Sequence, residues 1–339
     1  MAMIHNRYVR LRSRPCGKIG QDDFELSSMA LPSPEQGQLL LKNRLLSIDP
    51  GVRNLLGAKE GYLPPIAVGA PVTCSVLGEV IQSRHDAFAE GDLVVGRGMM
   101  GEYSVVTPDA LCWKVDKASA HTLSNALGVL GNTGRTAYFG LLEVGRPEPG
   151  GTVLVSGASG SVGSLVGQIA RIKGCRAVGI AGGEQKCRML RDEFGFDVAI
   201  DYLGKSDEEL HAAIVAACPD GIDVFFDNVG GRVLDSTLPA MNFGGRVVLC
   251  GLISQYDGAS PPVMANLFMI VAKALHVRGF LLPQFADRYD EAVAFLEGAI
   301  ARRELYFREE ILDGLEAAIP AFVRQFNAST AGKTMVQLS

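Results

Sequence analysis

Between Val153 and Gly163 the chain reads Val-Leu-Val-Ser-Gly-Ala-Ser-Gly-Ser-Val-Gly, an apolar run that breaks into glycines. Gly160 leaves room for a pyrophosphate to approach the backbone, and Gly163 lets a following helix pack closely. Ser161, Val162 and Gly163 then open a helix whose unpaired N–H groups and positive dipole end face an anion. Ala158 stands where a dinucleotide fingerprint usually has its first glycine, so the competing reading is a tight turn without a ligand. A second set of residues bears on which dinucleotide. The next apolar run ends Gly179-Ile-Ala-Gly-Gly183 with no Asp or Glu to bind ribose hydroxyls. Gly182 leaves space there for a 2′-phosphate, and Lys186, one helical turn on, can neutralise it. Glu184 reads as a helix-start residue, and the bland alternative is a solvated helix start in which Lys186 and Arg188 are ordinary surface charges.

These residues need a parallel sheet behind them. Val153 to Ser156 reads as a strand, and Val162, Leu165, Val166, Ile169 and Ile172 fall on one face of a helix. Candidate strands follow at Arg176–Ile180, Val198–Asp201, Asp223–Asn228, Arg246–Gly251 and His276–Phe280, with helical stretches between most of them. That alternation predicts a doubly wound α/β sheet with its ligand at the C-terminal strand ends. Asn228 and Cys250–Gly251 lie at two such ends. Asn228 either touches a bound ribose or caps the next helix. Residues 1–125 instead show short apolar runs at Leu39–Leu46, Val72–Ile81, Leu93–Val95 and Tyr103–Val106, separated by Gly, Pro and Asp. This predicts a β-rich domain. The Rossmann domain is expected over 126–309. Thr334–Leu338 is expected as a last strand that returns to the first domain, so that about 310–339 completes it. Ala126–Tyr138 reads as a broken helix, and the first two dozen residues carry no functional signal.

At 339 residues the chain suggests two domains. A net charge of −5 with scattered Lys and Arg argues against a nucleic-acid partner. The start of the chain carries no apolar signal region. Val263–Leu275, the longest apolar stretch, is interrupted by Asn266 and Lys273 and is too short for a bilayer, so no membrane partner and a cytoplasmic location are expected. Seven cysteines without a C-x-x-C, and five dispersed histidines without H-E-x-x-H, signal neither a disulfide framework nor a metal site.

With these residues in place, the chain resembles the zinc-independent medium-chain dehydrogenase/reductases. Within them it looks like the leukotriene/prostaglandin reductase branch, which includes curcumin-type and alkenal double-bond reductases. The resemblance rests on Ser47-Ile-Asp-Pro50, Leu130-Gly-Asn-Thr-Gly-Arg-Thr-Ala-Tyr138, Val155–Gly163 and Gly179–Arg188. It continues through Phe226-Asp-Asn-Val-Gly-Gly231, Cys250-Gly-Leu-Ile-Ser-Gln-Tyr256, Arg278-Gly-Phe280 and Arg308–Glu316. It implies a GroES-like domain, a Rossmann domain, a homodimer, and NADP(H)-dependent reduction of a small α,β-unsaturated ketone or aldehyde at its carbon–carbon double bond. It further implies that Ser161–Gly163 hold the pyrophosphate and that Lys186 with Tyr202 holds the 2′-phosphate. Asn228, Cys250, Gly251, Ile253, Ser254 and Tyr256 would line the nicotinamide, and Phe280–Leu282 would contact its carboxamide. Three positions depart from the branch. Gly51 replaces a tyrosine that usually borders the substrate beside Asp49 and Arg53, Thr330 replaces an asparagine near the cofactor, and Glu79 enters a glycine-rich stretch.

Tyr256 is the first candidate for catalysis. Just past the strand at Cys250, its phenol can donate to an enone oxygen as negative charge develops, or bond a ribose hydroxyl. The bland alternative is a loop tyrosine with a packing role. Asp49-Pro50 and Arg53 either shape the pocket edge or form a structural turn with an ion pair. Tyr138 and Trp113 read as packing residues. A quinone reductase with the same cofactor site is the nearest rival function, and a non-catalytic NADPH-binding protein the rival from another class. A zinc alcohol dehydrogenase lacks its cysteine–histidine ligand set here.

Overall fold

The computed structural model describes residues 4–57, 63–115, 122–256, 263–326 and 330–339. Two compact units are present, residues 1–132 with 309–339, and residues 133–308. The first contains β1 (His5–Leu11), β2 (Phe24–Ala30), β3 (Leu39–Ser47), β4 (Thr73–Ser83), β5 (Leu93–Met99), β6 (Tyr103–Val106) and β7 (Trp113–Lys114). The apolar runs that mark β3 to β6 point into a core with Leu39, Leu41, Val76, Val94 and Val106 fully or nearly buried. β1 and β2 form an antiparallel pair that the sequence did not signal.

Helix α1 (Leu123–Leu127) stays with this first unit because Ala126 and Leu127 are buried with Leu45, Leu77, Val95 and Met335. The chain then breaks at Gly131, where a Cβ would lie 2.4 Å from the Ala126 carbonyl oxygen. It resumes as α2 (Asn132–Phe139), which runs on as a wider π-type turn over Gly140–Gly145.

The second unit alternates β8 (Thr152–Ser156), α3 (Ser161–Ile172), β9 (Arg176–Ala181), α4 (Glu184–Asp192), β10 (Val198–Asp201), α5 (Asp207–Ala217), β11 (Ile222–Asp227), α6 (Gly231–Thr237), β12 (Met241–Leu249), α7 (Phe268–Ala272), β13 (His276–Gly279) and α8 (Tyr289–Ala301). The six strands are parallel in the order β10-β9-β8-β11-β12-β13, the doubly wound arrangement expected of the alternation. All five residues of β8 are buried, as a strand covered on both faces requires. Helix α5 begins with a capping box in which the Glu209 N–H donates to Ser206 Oγ and the Ser206 N–H donates to Glu209 Oε2. Because β8 and β11 are neighbours while the chain winds away from them in opposite directions, their C-terminal ends form the topological switch point where such folds bind ligands.

The chain re-enters the first unit through β14 (Glu309–Asp313), α9 (Ala318–Arg324) and β15 (Lys333–Gln337). β15 lies between β14 and β3, antiparallel to β3 with Met335 opposite Ser47, in a sheet ordered β14-β15-β3-β4-β5-β7. Among the described residues no helix is long and apolar enough to cross a membrane.

Candidate active site

The glycine turn after β8 is closed by backbone geometry. Gly157 takes a φ of +56°, a left-handed conformation that supplies the sharp turn. Ala158, one residue on, is fully buried, and its N–H donates to the Ile180 carbonyl at 3.1 Å. Its methyl faces β9, where a Cβ at Gly179 would come within 2.9 Å of it. Position 158 therefore packs against the sheet and needs no glycine. Gly160 caps α3 in an extended conformation, so Ser161 and Val162 begin the helix with N–H groups that have no intrahelical acceptor. A Cβ at Gly163 would lie 2.4 Å from the Gly157 oxygen and 2.9 Å from Ala158 Cα, so its bareness fits the helix to the turn itself rather than to the strand.

The corner after β9 is equally bare. A Cβ at Gly182 would meet the Tyr202 ring at 3.2 Å, and Gly183 turns with a φ of +90°. Asp201 at the end of β10 holds this corner, accepting from the Gly183 N–H at 2.8 Å and the Leu203 N–H at 3.0 Å. Sequence reading passed over Asp201 because it ends the neighbouring strand. Lys186 sits half-buried in the first turn of α4, and burial lowers its pKa by disfavouring the charged form. Arg188 and Arg191 both approach the exposed Glu184, at 3.8 and 3.0 Å.

At the switch point, Asp227 is fully buried. Its Oδ1 accepts from Ser156 Oγ at 2.6 Å, Val229 N at 2.9 Å and Gly230 N at 3.0 Å. Burial raises its pKa, and these donors pull it back down. Asn228 donates from its side chain to the Ser156 carbonyl at 2.8 Å, joining β11 to β8 rather than capping α6. The N–H groups of Cys250 and Gly251 donate to the Asp227 carbonyl at 2.9 and 3.2 Å. Burial, with the Asp227 carboxylate adding to it, pushes the Cys250 thiol up to about 12, which leaves it protonated and poorly nucleophilic. Ile253 and Ser254 hang on residues 228 and 229 and lead to Tyr256. The Tyr256 oxygen accepts the Leu252 N–H at 3.2 Å, which leaves its own proton to donate elsewhere.

Phe280 follows β13 and turns its ring inward. A Cβ at Gly140 would stand 2.5 Å from Phe280 Cζ and 2.8 Å from Phe226 Cε2. Leu282 is buried just beyond it. Tyr138 is buried and donates to Glu291 Oε1 at 2.6 Å, with its ring against Phe139 and Phe295, a packing role.

The remaining candidates belong to the first unit. Asp49 pairs with the buried Lys333 and accepts from Ser47, Arg53 is buried and donates to the Gly17 carbonyl at 3.1 Å, and nothing lies within 4 Å of a Cβ built on Gly51. Thr330 donates to Gln325 Oε1 at 3.4 Å. The Glu79 carboxylate pairs with Arg44 at 2.9 Å. Among the described residues no group of three or more His, Cys, Asp or Glu side chains is placed to hold a metal ion; His121 lies outside the described residues.

Two family models match in succession. One described as the N-terminal domain of oxidoreductase covers residues 7–114, and one described as zinc-binding dehydrogenase covers 161–298. The NADPH-dependent curcumin reductase of Escherichia coli is 35% identical over 340 residues, 98% of this chain and 97% of that one. The NADP(+)-dependent 2-alkenal reductase of Nicotiana tabacum is 37% identical over 340 residues, 99% of this chain and 98% of that one. The crystal structure of CurA from Vibrio vulnificus in complex with NADPH superposes with a TM-score of 0.90 at 36% identity, over 98% of this chain and 99% of that one. Identity at this level along both units means that the chain belongs to the medium-chain dehydrogenase/reductase family of oxidoreductases, in the NADP-dependent branch that holds the curcumin and alkenal reductases.

Proposed function

We propose that this protein uses NADPH to reduce the carbon–carbon double bond of α,β-unsaturated ketones or aldehydes. The observation that carries the reading is the Tyr256 phenol, anchored through Leu252 N–H beside the ends of β11 and β12 with its proton left to donate. The residues present suit the cofactor. Gly160 and the start of α3 offer bare backbone N–H groups to a pyrophosphate, and Gly182, Tyr202 and the desolvated Lys186 suit a 2′-phosphate. When bound, NADPH supplies a hydride for the β-carbon of the substrate. Tyr256 donates a hydrogen bond to the carbonyl oxygen, so that the negative charge arriving there meets a placed donor. The α-carbon then takes a proton, from the phenol or from water, and the saturated carbonyl leaves. Asn228, Cys250, Gly251, Ile253 and Ser254 form the wall against which the nicotinamide rests, with the Phe280–Leu282 segment at its carboxamide edge. On the first unit, taken by itself, the positions that the resemblance gives to the substrate fall at Asp49, Gly51 and Arg53, and nothing stands within 4 Å of a Cβ built on Gly51.

We also propose a homodimer formed through β13. It is the outermost strand of its sheet and all four of its residues are exposed, Val277 among them, while Phe268 and Val271 of the preceding α7 are 68% and 72% exposed. An open strand edge related by a two-fold axis can pair antiparallel with its own copy, so the same patch serves both sides.

NADPH oxidation against a panel of enals, enones, quinones and ketones, with product analysis, tests the enzymatic reading. Saturated carbonyl products are expected. Turnover of quinones alone, or tight NADPH binding without turnover of any acceptor, would replace it.

A further inference from the structure

We propose that Asp227 is a positioning residue that ties three strand ends together and thereby fixes both the nicotinamide wall and the loop carrying Tyr256. The inference rests on the NADPH reading above. Asp227 is wholly buried and touches neither solvent nor any space a ligand could fill, so it acts through its neighbours.

Its bonds run in three directions. The carboxylate takes the Ser156 hydroxyl at 2.6 Å, which fastens the end of β8 to the end of β11. That same Ser156 Oγ accepts the Asn228 N–H at 2.9 Å, so one hydroxyl serves both residues. The carboxylate also accepts the Val229 and Gly230 N–H groups at 2.9 and 3.0 Å, which sets the turn into α6. Gly230 has a φ of +71°, and a Cβ there would come within 2.6 Å of Leu252 Cδ2. The turn is thus pressed against the residue whose N–H holds the Tyr256 phenol. The Asp227 carbonyl, for its part, accepts from Cys250 and Gly251.

From this hub the connection reaches Tyr256 in two further steps. The Ile253 N–H donates to the Asn228 carbonyl at 3.2 Å, and Ser254 donates to the Val229 carbonyl from its N–H at 3.1 Å and its hydroxyl at 2.6 Å. Residues 228 and 229 are therefore the shelf on which the 252–256 loop rests, and Asp227 sets the shelf. An acid suits this position because three donors, the Ser156 hydroxyl and the Val229 and Gly230 N–H groups, point at its carboxylate. An asparagine would turn its NH2 group toward the Gly230 N–H at the place where Oδ2 accepts it at 3.0 Å. The adenosine corner at Gly182, Lys186 and Asp201 shares none of these bonds.

That separation supplies the test. Asp227→Asn and Ser156→Ala are compared with the parent protein for binding of NADPH, for binding of 2′,5′-ADP, which carries only the adenosine half, and for turnover at saturating NADPH. Positioning predicts that 2′,5′-ADP binds both variants within about twofold of the parent. NADPH should bind several-fold more weakly, and kcat on the best enone should fall about tenfold to a hundredfold, the effect of misplacing reacting groups by about 1 Å. Equal weakening of both ligands would mean a loosened fold and overturn the proposal, as would unchanged kcat in both variants. Should Asp227→Asn not fold, Ser156→Ala carries the same comparison, since it removes only the hydroxyl that joins the end of β8 to the Asp227 carboxylate and the Asn228 N–H. If the parent protein itself binds neither ligand, the cofactor reading fails first. A parent that binds both, with variants indistinguishable from it, sinks the role of Asp227 alone.

Discussion

Gly163→Ala tests whether α3 must lie against the glycine turn, and Gly160→Ala separates that requirement from the space left for a phosphate. The new methyl at 163 would lie 2.4 Å from the Gly157 oxygen and 2.9 Å from Ala158 Cα. Both are backbone atoms of a turn already committed to a left-handed residue, so neither can rotate aside and the helix itself must retreat. Overpacking of this kind costs about 1–3 kcal/mol. At roughly 2–4 °C per kcal/mol for a unit of this size, the melting midpoint of the second unit should fall by about 2–12 °C. At position 160 the backbone is extended and the only close atom is the Gly157 oxygen at 3.2 Å, so stability should change by less than about 1 kcal/mol. That methyl would instead stand in front of the first N–H groups of α3. Losing one charge-assisted hydrogen bond to a phosphate, about 1.5–3 kcal/mol, should weaken NADPH about tenfold to a hundredfold. Thermal denaturation and calorimetric titration of the two variants read these quantities separately. A Gly163→Ala protein that melts with the parent would refute the packing argument. A Gly160→Ala protein that keeps full NADPH affinity would show that the phosphates lie elsewhere.

Lys186→Ala should weaken NADPH by about tenfold to a hundredfold while leaving NADH unchanged, which competitive titration of the two cofactors measures. Since burial lowers the Lys186 pKa, its charge is lost as pH rises at a lower pH than the usual lysine value of about 10.4. NADPH affinity should therefore decline on the alkaline side ahead of NADH affinity, and Lys186→Arg should abolish that difference. Tyr256→Phe should lower kcat on enones by about a hundredfold, the scale of one placed donor, with NADPH binding little altered; unchanged turnover would return Tyr256 to a packing role. Val277→Asp places a charge on the β13 edge and should convert the dimer to monomer by light scattering without loss of the melting transition. A persisting dimer would move the interface elsewhere.

The alternation of strands and helices was legible because β8, β9 and β11 are buried along nearly their whole length and carry the apolar stretches Val153–Val155, Ala177–Ala181 and Val224–Phe226. β12 was expected from Arg246 but begins at Met241. Its opening residues include the exposed Phe243 and Gly244 with a φ of +73°, and its register with β11 shifts between Ile222 and Val224, so the stretch reads as a turn. The β1–β2 pair escaped notice because in β2 only Phe24 is buried and the rest alternate half-buried and exposed, with residues of weak strand character such as Ser27 and Ser28 among them. In the site, glycine spacing located the turn, and the positive φ that makes it belongs to Gly157, the residue before the Ala158 that replaces the fingerprint's first glycine. Asp201 and Asp227 were illegible as site residues. Their partners come from other strands or from backbone groups, and only the folded sheet brings those ends together.

The placement of β15 bears on the order in which the molecule can be built. Residues 133–308 form a continuous stretch and can collect their own core as soon as they leave the ribosome. The first unit cannot close then, because β3 lacks its neighbour and Asp49 its lysine until Lys333–Gln337 have been made. At a synthesis rate of about 5–20 residues per second, the amino-terminal sheet waits roughly 10–40 s with that edge uncovered. Chaperone dependence and misassembly should accordingly concentrate in this interval. Shortening the chain by its final strand should unfold the amino-terminal unit and spare the nucleotide-binding one.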